Sequence, residues 1–194
     1  MRKYFSMSTP GEQELLARTA ESLAPGSRMV EVGSWLMGTA RILAEANPQA
    51  DLLCVDPFTG SVTDSDSLEF LKDYPEFQGN RSPELARAIV RDLDNISIMA
   101  AESPLNLAAH PDAFDLYFED GNHKDPILAA NLDYWLPLLK PTGILALHDS
   151  DMSDVAAHIT RLQLEGYVIL DRVDSLTILV KPLSGSEADA ENLE

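Results

Sequence analysis

The stretch Arg28-Met29-Val30-Glu31-Val32-Gly33-Ser34-Trp35 decides the fold of this chain. An apolar run ends there in an acidic residue and a glycine, and a helical pattern follows. Two later apolar runs also end in carboxylates, at Val55-Asp56 and at Phe118-Glu119-Asp120. Ligands of open α/β sheets bind at the edge where the carboxyl ends of parallel strands meet. The three strand ends therefore predict one ligand cleft.

The composition narrows the choice of partner. The chain has 194 residues, with 32 acidic and 14 basic side chains and a formal net charge of -18. Such a protein repels nucleic-acid phosphates and anionic membranes, so we expect a small-molecule ligand or a protein partner. The single cysteine, Cys54, excludes a disulfide framework and favours a reducing, cytoplasmic location. Homo-oligomerisation stays open.

The domain organisation is simple. We expect one domain over residues 1–183, followed by a disordered acidic tail at 184–194. Residues 57–95 hold two helical patterns where a doubly wound fold needs one helix, so this segment is predicted to be a lid or substrate wall. Its aromatic residues would form that wall or belong to the core. They are Phe58, Phe70, Tyr74 and Phe77.

The strand pattern predicts a Rossmann-like α/β fold. Strands are predicted at about residues 28–32, 52–55, 96–100, 115–119, 144–147, 167–170 and 176–180. Helices are predicted at about residues 10–24, 38–46, 67–74, 83–93, 126–139 and 155–164, with a short one after Ser103. The last two strands are too close in sequence for a parallel crossover. The prediction is a doubly wound, seven-stranded, mostly parallel sheet with a C-terminal antiparallel hairpin strand.

The loop after the first strand lacks both the Gly-x-Gly-x-x-Gly dinucleotide fingerprint and the P-loop. Glu31, Gly33 and Thr39 instead suit a ligand with an amino-acid end, although an ordinary strand-turn-helix joint has the same pattern. Asp56 follows Glu31 by 25 positions, which favours contact with a ribose diol over a turn cap before Pro57.

Later strand ends carry further candidates. Ser103 would lie near an adenine or cap the next helix. Asp120 and Asp149 would approach each other on adjacent strands, and paired carboxylates favour Mg²⁺ or Mn²⁺, with His148 as a third ligand; a helix start at Asp149 is the alternative. His123 is the candidate general base. Lys124 competes with it and would have to be buried to act as a base.

Five motifs together resemble the class I S-adenosylmethionine-dependent methyltransferases, and most closely the branch of the macrocin-type and catechol-type O-methyltransferases. The match spans about residues 29–149, and the terminal hairpin agrees with it. The motifs are Glu31-Val-Gly-Ser-Trp35, Val55-Asp-Pro-Phe58, Asp120-Gly-Asn-His123, Trp135-Leu-Pro-Leu-Leu-Lys-Pro-Thr-Gly143 and His148-Asp149.

The resemblance implies a role for each candidate residue. The methionine end of the cofactor would be held by Glu31, Gly33, Ser34 and Thr39. The ribose would bind Asp56, and Ser103 would lie near the adenine. Asp120, His148 and Asp149 would hold the metal, and Asp120 also belongs to the cofactor site. His123 or Lys124 would take a proton from the acceptor hydroxyl.

The sequence also departs from the family pattern. Met37 stands where the family has a second glycine, with Gly38 one place later, and a methionine there would crowd the cofactor loop. Asn122 replaces a frequent acidic residue, and Thr142 replaces a glycine.

The sequence thus favours a methyltransferase that acts on a small-molecule oxygen with help from a divalent metal. Three rivals remain: a metal-independent methyltransferase, a non-enzymatic member of the fold that binds a protein, and a nicotinamide-dependent oxidoreductase. The missing glycine fingerprint argues against the last of these.

Overall fold

The computed structural model of the protein describes residues 5–105 and 113–183. Seven strands form one sheet in the order β3-β2-β1-β4-β5-β7-β6. They are β1 Arg28–Val32, β2 Asp51–Asp56, β3 Ile96–Ala100, β4 Phe114–Glu119, β5 Leu139–Leu147, β6 Val168–Val173 and β7 Leu176–Val180. The predicted Rossmann-like sheet is confirmed. The tail predicted at 184–194 and most of the segment after Ser103 lie outside the described residues.

The C-terminal hairpin is also confirmed. β7 pairs antiparallel with both β5 and β6, whereas β1 to β5 pair in parallel. The strand order reverses direction at β1, so β1 and β4 lie side by side at the centre of the sheet. Ligands of open α/β sheets bind above this topological switch point.

The described residues form six α-helices and three short 3₁₀ turns. The helices are α1 Pro10–Glu21, α2 Gly38–Ala46, α3 Ser65–Phe70, α4 Pro83–Ile89, α5 Ile127–Trp135 and α6 Ser153–Leu164. The turns are Leu71–Asp73, Pro75–Phe77 and Leu136–Leu138. The two helical patterns predicted within residues 57–95 appear as α3 and α4, both shorter than expected.

Two apolar cores cover the two faces of the sheet. One contains buried residues of α1, α2 and the 57–95 segment, and the other contains buried residues of α5 and α6. The aromatic residues of the 57–95 segment pack in or against the first core, which agrees with the core alternative, and they line neither cavity of the site. In the part of the chain that is described, no helix has the length and apolar character to cross a membrane.

The buried side chain of Glu12 connects α1 to the C-terminal hairpin through hydrogen bonds. Thr9 and Glu12 form a capping box, with the Thr9 N–H donating to Glu12 Oε2 over 2.8 Å. The other carboxylate oxygen of Glu12 accepts bonds from the N–H and the hydroxyl of Ser175, in the turn between β6 and β7. This carboxylate therefore joins the first helix to the last strands.

We predict that Glu12→Ala lowers the free energy of unfolding by about 2–3 kcal/mol, because a capping bond and buried bonds to Ser175 are lost together. Urea denaturation followed by circular dichroism measures the change. Glu14→Ala, an exposed position on the same helix, is the matched control and should change stability by less than about 0.5 kcal/mol. Equal effects of the two substitutions would contradict this role of Glu12.

Candidate functional site

The predicted strand ends do surround one cleft. A cavity of about 500 Å³ lies at the carboxyl edge of the sheet, and Gly33, Asp56, Ser103 and Asp120 contribute to its wall. A smaller cavity of about 200 Å³ adjoins it and shares Gly33 and Asp120 with it. The smaller cavity is lined by residues 5–8 of the N-terminal segment and by further candidate residues. The latter are Ser34, Thr39, His123, His148 and Asp149.

Glycine at position 33 lets two loops meet at the centre of the cleft. Gly33 has φ +91°, and a Cβ there would overlap the carbonyl oxygen of Asp120. The loop after β1 therefore lies directly against the end of β4. Gly38 serves a different purpose, because a side chain there would collide with the backbone of Phe5.

Glu31 lies beneath the cleft rather than in its wall. Its side chain is fully buried and lines neither cavity, and it accepts a hydrogen bond from the hydroxyl of Thr39. Burial raises the pKa of Glu31 to about 7. Its other carboxylate oxygen, Oε2, has no hydrogen-bond partner among the described residues, and the predicted contact of Glu31 with a ligand stays a prediction. Glu31 also orients Thr39, which does reach the smaller cavity.

The expected crowding by Met37 is wrong. Met37 has a left-handed backbone (φ +62°) just before α2, and its fully buried side chain belongs to the apolar core. It lines neither cavity. The backbone turns the side chain away from the cleft, so the loop keeps its access without a glycine at this position.

Asp56 is held rigidly in the wall of the larger cavity. Its carboxylate accepts bonds from the N–H groups of Phe58 (2.6 Å) and Trp35 (3.1 Å). It also forms an ion pair with Arg81, whose guanidinium carbon lies 4.2 Å from the centre of the Trp35 ring. Arg81 was not predicted from the sequence. The 57–95 segment thus contributes Arg81 and Pro57 to the cavity instead of its aromatic residues.

Ser103 lines the same cavity, but its hydroxyl is bonded within the protein. It accepts from Trp135 Nε1 and donates to Asn131 Oδ1, both over 2.9 Å. The Asn131 amide then donates to Glu119, a fully buried residue that also accepts from Tyr117. Burial raises the pKa of Glu119 to about 7. Sequence analysis assigned no role to Glu119 or Asn131.

A histidine and carboxylate cluster lies where the two cavities meet. One ligand-type atom each from Asp120, His123 and His148 lie within 4.8 Å of one another. His148 Nδ1 is 2.8 Å from Asp120 Oδ1, yet the two atoms are not aligned as a hydrogen bond. Asp149 Oδ2 lies 3.2 Å from His123 Nδ1. The predicted metal ligands Asp120 and His148 therefore lie together. The third member of the group is His123 instead of the predicted Asp149, and Asp149 contacts His123.

The neighbouring carboxylates favour protonated histidines. The contact with Asp120 raises the pKa of His123, aided by the charge of Asp149 and opposed by burial. Burial alone would lower the pKa of His148, but Asp120, Asp149 and Glu12 outweigh it and raise the value to about 9. A cation that bound here would have to displace these protons.

The cluster fits a divalent cation on two grounds. Two buried ring nitrogens, His123 Nε2 and His148 Nδ1, have no hydrogen-bond partner among the described residues, and both face the Asp120 carboxylate. Two imidazoles with one carboxylate suit a transition metal better than Mg²⁺, which prefers oxygen ligands. Lys124 lies in the wall of the larger cavity and is exposed, so the burial required for its role as a base is missing.

Comparison with known proteins agrees with the fold. Residues 30–150 match the methyltransferase domain family, and the chain belongs to that family. This confirms the resemblance found in the sequence. No curated protein matches the chain.

Solved structures show the same fold at low sequence identity. The N-methyltransferase NodS from Bradyrhizobium japonicum is 17% identical, with 88% of this chain and 94% of that chain covered and a TM-score of 0.59. The O-methyltransferase TomG from Streptomyces achromogenes, solved with SAM, is 16% identical, with 91% and 82% covered and a TM-score of 0.59. A SAM-dependent O-methyltransferase from Thermotoga maritima is 13% identical, with 95% and 69% covered and a TM-score of 0.63.

We predict that Glu119→Gln flattens the dependence of stability on pH. Because the pKa of Glu119 is raised from 4.5 to about 7 on folding, its contribution to stability is full below pH 4.5 and declines as the pH rises towards 7. The amide mimics the protonated acid. Relative to the unmodified protein, the variant should gain about 2 kcal/mol between pH 5 and pH 8.

Urea denaturation at the two pH values measures this difference. Glu102→Gln, an exposed acid beside the same cavity, is the control and should leave the pH dependence unchanged. Parallel stability curves for Glu119→Gln and the unmodified protein would show that Glu119 is ionised throughout this range.

Proposed function

We propose that the protein transfers the methyl group of S-adenosylmethionine to a hydroxyl oxygen of a small molecule, with help from a divalent cation. The observation that carries the proposal is Asp56, which is fixed in the wall of the larger cavity on the strand next to the Gly33 loop. A rigid carboxylate at that place is suited to accept hydrogen bonds from a ribose.

The two cavities suit the two ends of the methyl donor. The amino-acid end would occupy the smaller cavity, where the Ser34 hydroxyl and the backbone N–H groups at the start of α2 offer donors to a carboxylate. The nucleoside would occupy the larger cavity, with its ribose at Asp56 and its adenine near Ser103. S-adenosylmethionine supplies an electrophilic sulfonium methyl group, and Asp120 lines both cavities, so its carboxylate would favour that positive charge.

The cluster favours oxygen as the acceptor atom. Asp120, His123 and His148 would hold the cation, and Asp149 would orient His123 through its Nδ1. A bound cation would polarise an acceptor hydroxyl and lower its pKa. We favour Mn²⁺ over Mg²⁺ because two of the three donors are imidazoles. The structural relatives include both N- and O-methyltransferases, so they do not decide between these acceptors.

A second candidate is methyl transfer without a metal. His123 and Asp149 are 3.2 Å apart, and this pairing suits a histidine base that is oriented by a carboxylate. In that case His123 would take the acceptor proton, as the sequence predicts, and Asp120 would serve the donor. Lys124 is the weaker candidate because it is exposed.

We also propose a small-molecule acceptor and a cytoplasmic location for the protein. The methyltransferase family and the cleft at the sheet edge support a small-molecule acceptor. The buried, unpaired Cys54 and the acidic composition support a cytoplasmic location without nucleic-acid or membrane partners. A non-enzymatic role loses its main argument, because Met37 does not block the loop.

We predict that S-adenosylhomocysteine binds without added metal and that Asp56→Asn weakens this binding at least about tenfold, since bonds to a charged acceptor are lost. Isothermal titration calorimetry measures both affinities. Asp51→Asn lies at the opposite end of the same strand and should bind as the unmodified protein does. An Asp56→Asn variant of unaltered affinity would exclude Asp56 from the ribose site.

We predict that Mn²⁺ binds to the cluster and that Asp120→Asn or His148→Ala weakens its binding about tenfold or more. Electron paramagnetic resonance of free Mn²⁺ gives the affinity. His158→Ala removes a histidine that pairs with Asp125 outside the cluster and should have no effect. If the three variants and the unmodified protein bind Mn²⁺ equally weakly, the metal-independent mechanism through His123 and Asp149 is supported instead.

A further inference from the structure

Arg81 reaches the larger cavity from a loop whose two ends are joined by backbone hydrogen bonds. The N–H of Arg81 donates to the carbonyl of Gly60 over 2.9 Å, and the N–H of Val62 donates to Gly79 over 2.9 Å. An isolated β-bridge joins Ser61 to Asn80 between these bonds. These bonds join two chain segments that are about 20 residues apart in sequence. They fix the backbone of Arg81 beside Asp56.

The Arg81 side chain is held on three sides. Its Nη2 pairs with Asp56 Oδ1, and its Nη1 donates to the carbonyl of Thr59 over 3.2 Å. Its guanidinium stacks on Trp35, 4.2 Å from the ring centre. The side chains of Arg81 and Asp56 are only 10% and 7% exposed. A buried pair in the wall of a ligand cavity is part of the surface that the ligand meets.

The hydrogen bonds already made leave Asp56 too few acceptor sites for a whole ribose diol. A carboxylate has about four acceptor positions. Phe58 N–H and Arg81 occupy two positions on Oδ1, and Trp35 N–H occupies one on Oδ2. About one position therefore remains for two ribose hydroxyls.

Arg81 has the complementary group. Its Nε is buried and has no hydrogen-bond partner among the residues that the structure describes. A buried N–H without a partner is costly, and a bound ligand that supplies an acceptor would remove that cost. A ribose hydroxyl can donate one hydrogen bond and accept another, so the diol can satisfy both Asp56 and Arg81.

We infer that Arg81 and Asp56 together form the ribose site of the protein, so that Arg81 is a specificity-determining residue for the methyl donor. One ribose hydroxyl donates to Asp56 Oδ2, and the oxygen of the other accepts from Arg81 Nε–H, which is covered in the structure and would be uncovered by a small rotation of the guanidinium group. This inference rests on the proposed function, because the ribose is that of the proposed donor. It adds a donor to a site for which the sequence offered a single carboxylate.

The test compares Arg81→Lys with the unmodified protein. Lysine keeps the positive charge beside Asp56 but lacks the Nε–H and the planar guanidinium. We expect calorimetry to show that S-adenosylhomocysteine binds Arg81→Lys about tenfold more weakly, because one hydrogen bond to a charged donor is lost. Arg87→Lys, an exposed residue of α4 paired with Glu84, is the matched control and should bind normally.

A second measurement removes any dependence on the folded fraction of the variant. Adenosine, 2′-deoxyadenosine and 3′-deoxyadenosine are each used to displace S-adenosylhomocysteine. The unmodified protein should bind both deoxynucleosides about tenfold more weakly than adenosine. Arg81→Lys should lose this discrimination against one deoxynucleoside and retain it against the other, which depends on Asp56.

The outcomes separate the inference from the proposed function. If Arg81→Lys binds S-adenosylhomocysteine as tightly as the unmodified protein or more tightly, and discriminates against both deoxynucleosides as before, Arg81 is not part of the ribose site. If the unmodified protein itself does not bind S-adenosylhomocysteine, the proposed function fails, and the assignment of Arg81 fails with it.

Discussion

The site depends on one close approach, that of Gly33 to the backbone of Asp120. Because residue 33 has no side chain, the loop after β1 can lie against the end of β4 at the point where the strand order reverses. This contact brings the Trp35 N–H to Asp56 on one side and leaves Asp120 facing the histidines on the other. A single side chain at position 33 would separate the two halves of the cleft.

The carboxylates around this contact have different roles, and the role of each depends on how deeply it is buried. Glu31 and Glu119 are fully buried below the cleft, and burial raises the pKa of each to about 7, so their neutral forms are far more populated near neutral pH than those of ordinary carboxyl groups. Asp56 and Asp120 face the cavities and are matched with cations, Arg81 and the histidines respectively. The acidic strand ends that identify the fold thus divide into supports for the wall and groups available to a ligand.

The sequence predicts the fold well because the fold follows from local patterns. Apolar runs and the short hairpin connection can be recognised within a few residues of sequence, and the structure confirms the strands and the hairpin that they predict. The site is predicted less completely because its details depend on distant contacts. Arg81 reaches Asp56 across 25 residues, and Glu12 reaches His148 across 136. The inward turn of Met37 depends on backbone conformation, which no spacing of residue types reveals.

The most direct test of these ideas is a crystal structure of the protein with S-adenosylhomocysteine. We expect the homocysteine end near Thr39 and Ser34, the ribose between Asp56 and Arg81, and the sulfur facing the cluster of Asp120, His123 and His148. Density for the ligand at another surface, or a ribose that touches neither Asp56 nor Arg81, would contradict the assignment of this cleft.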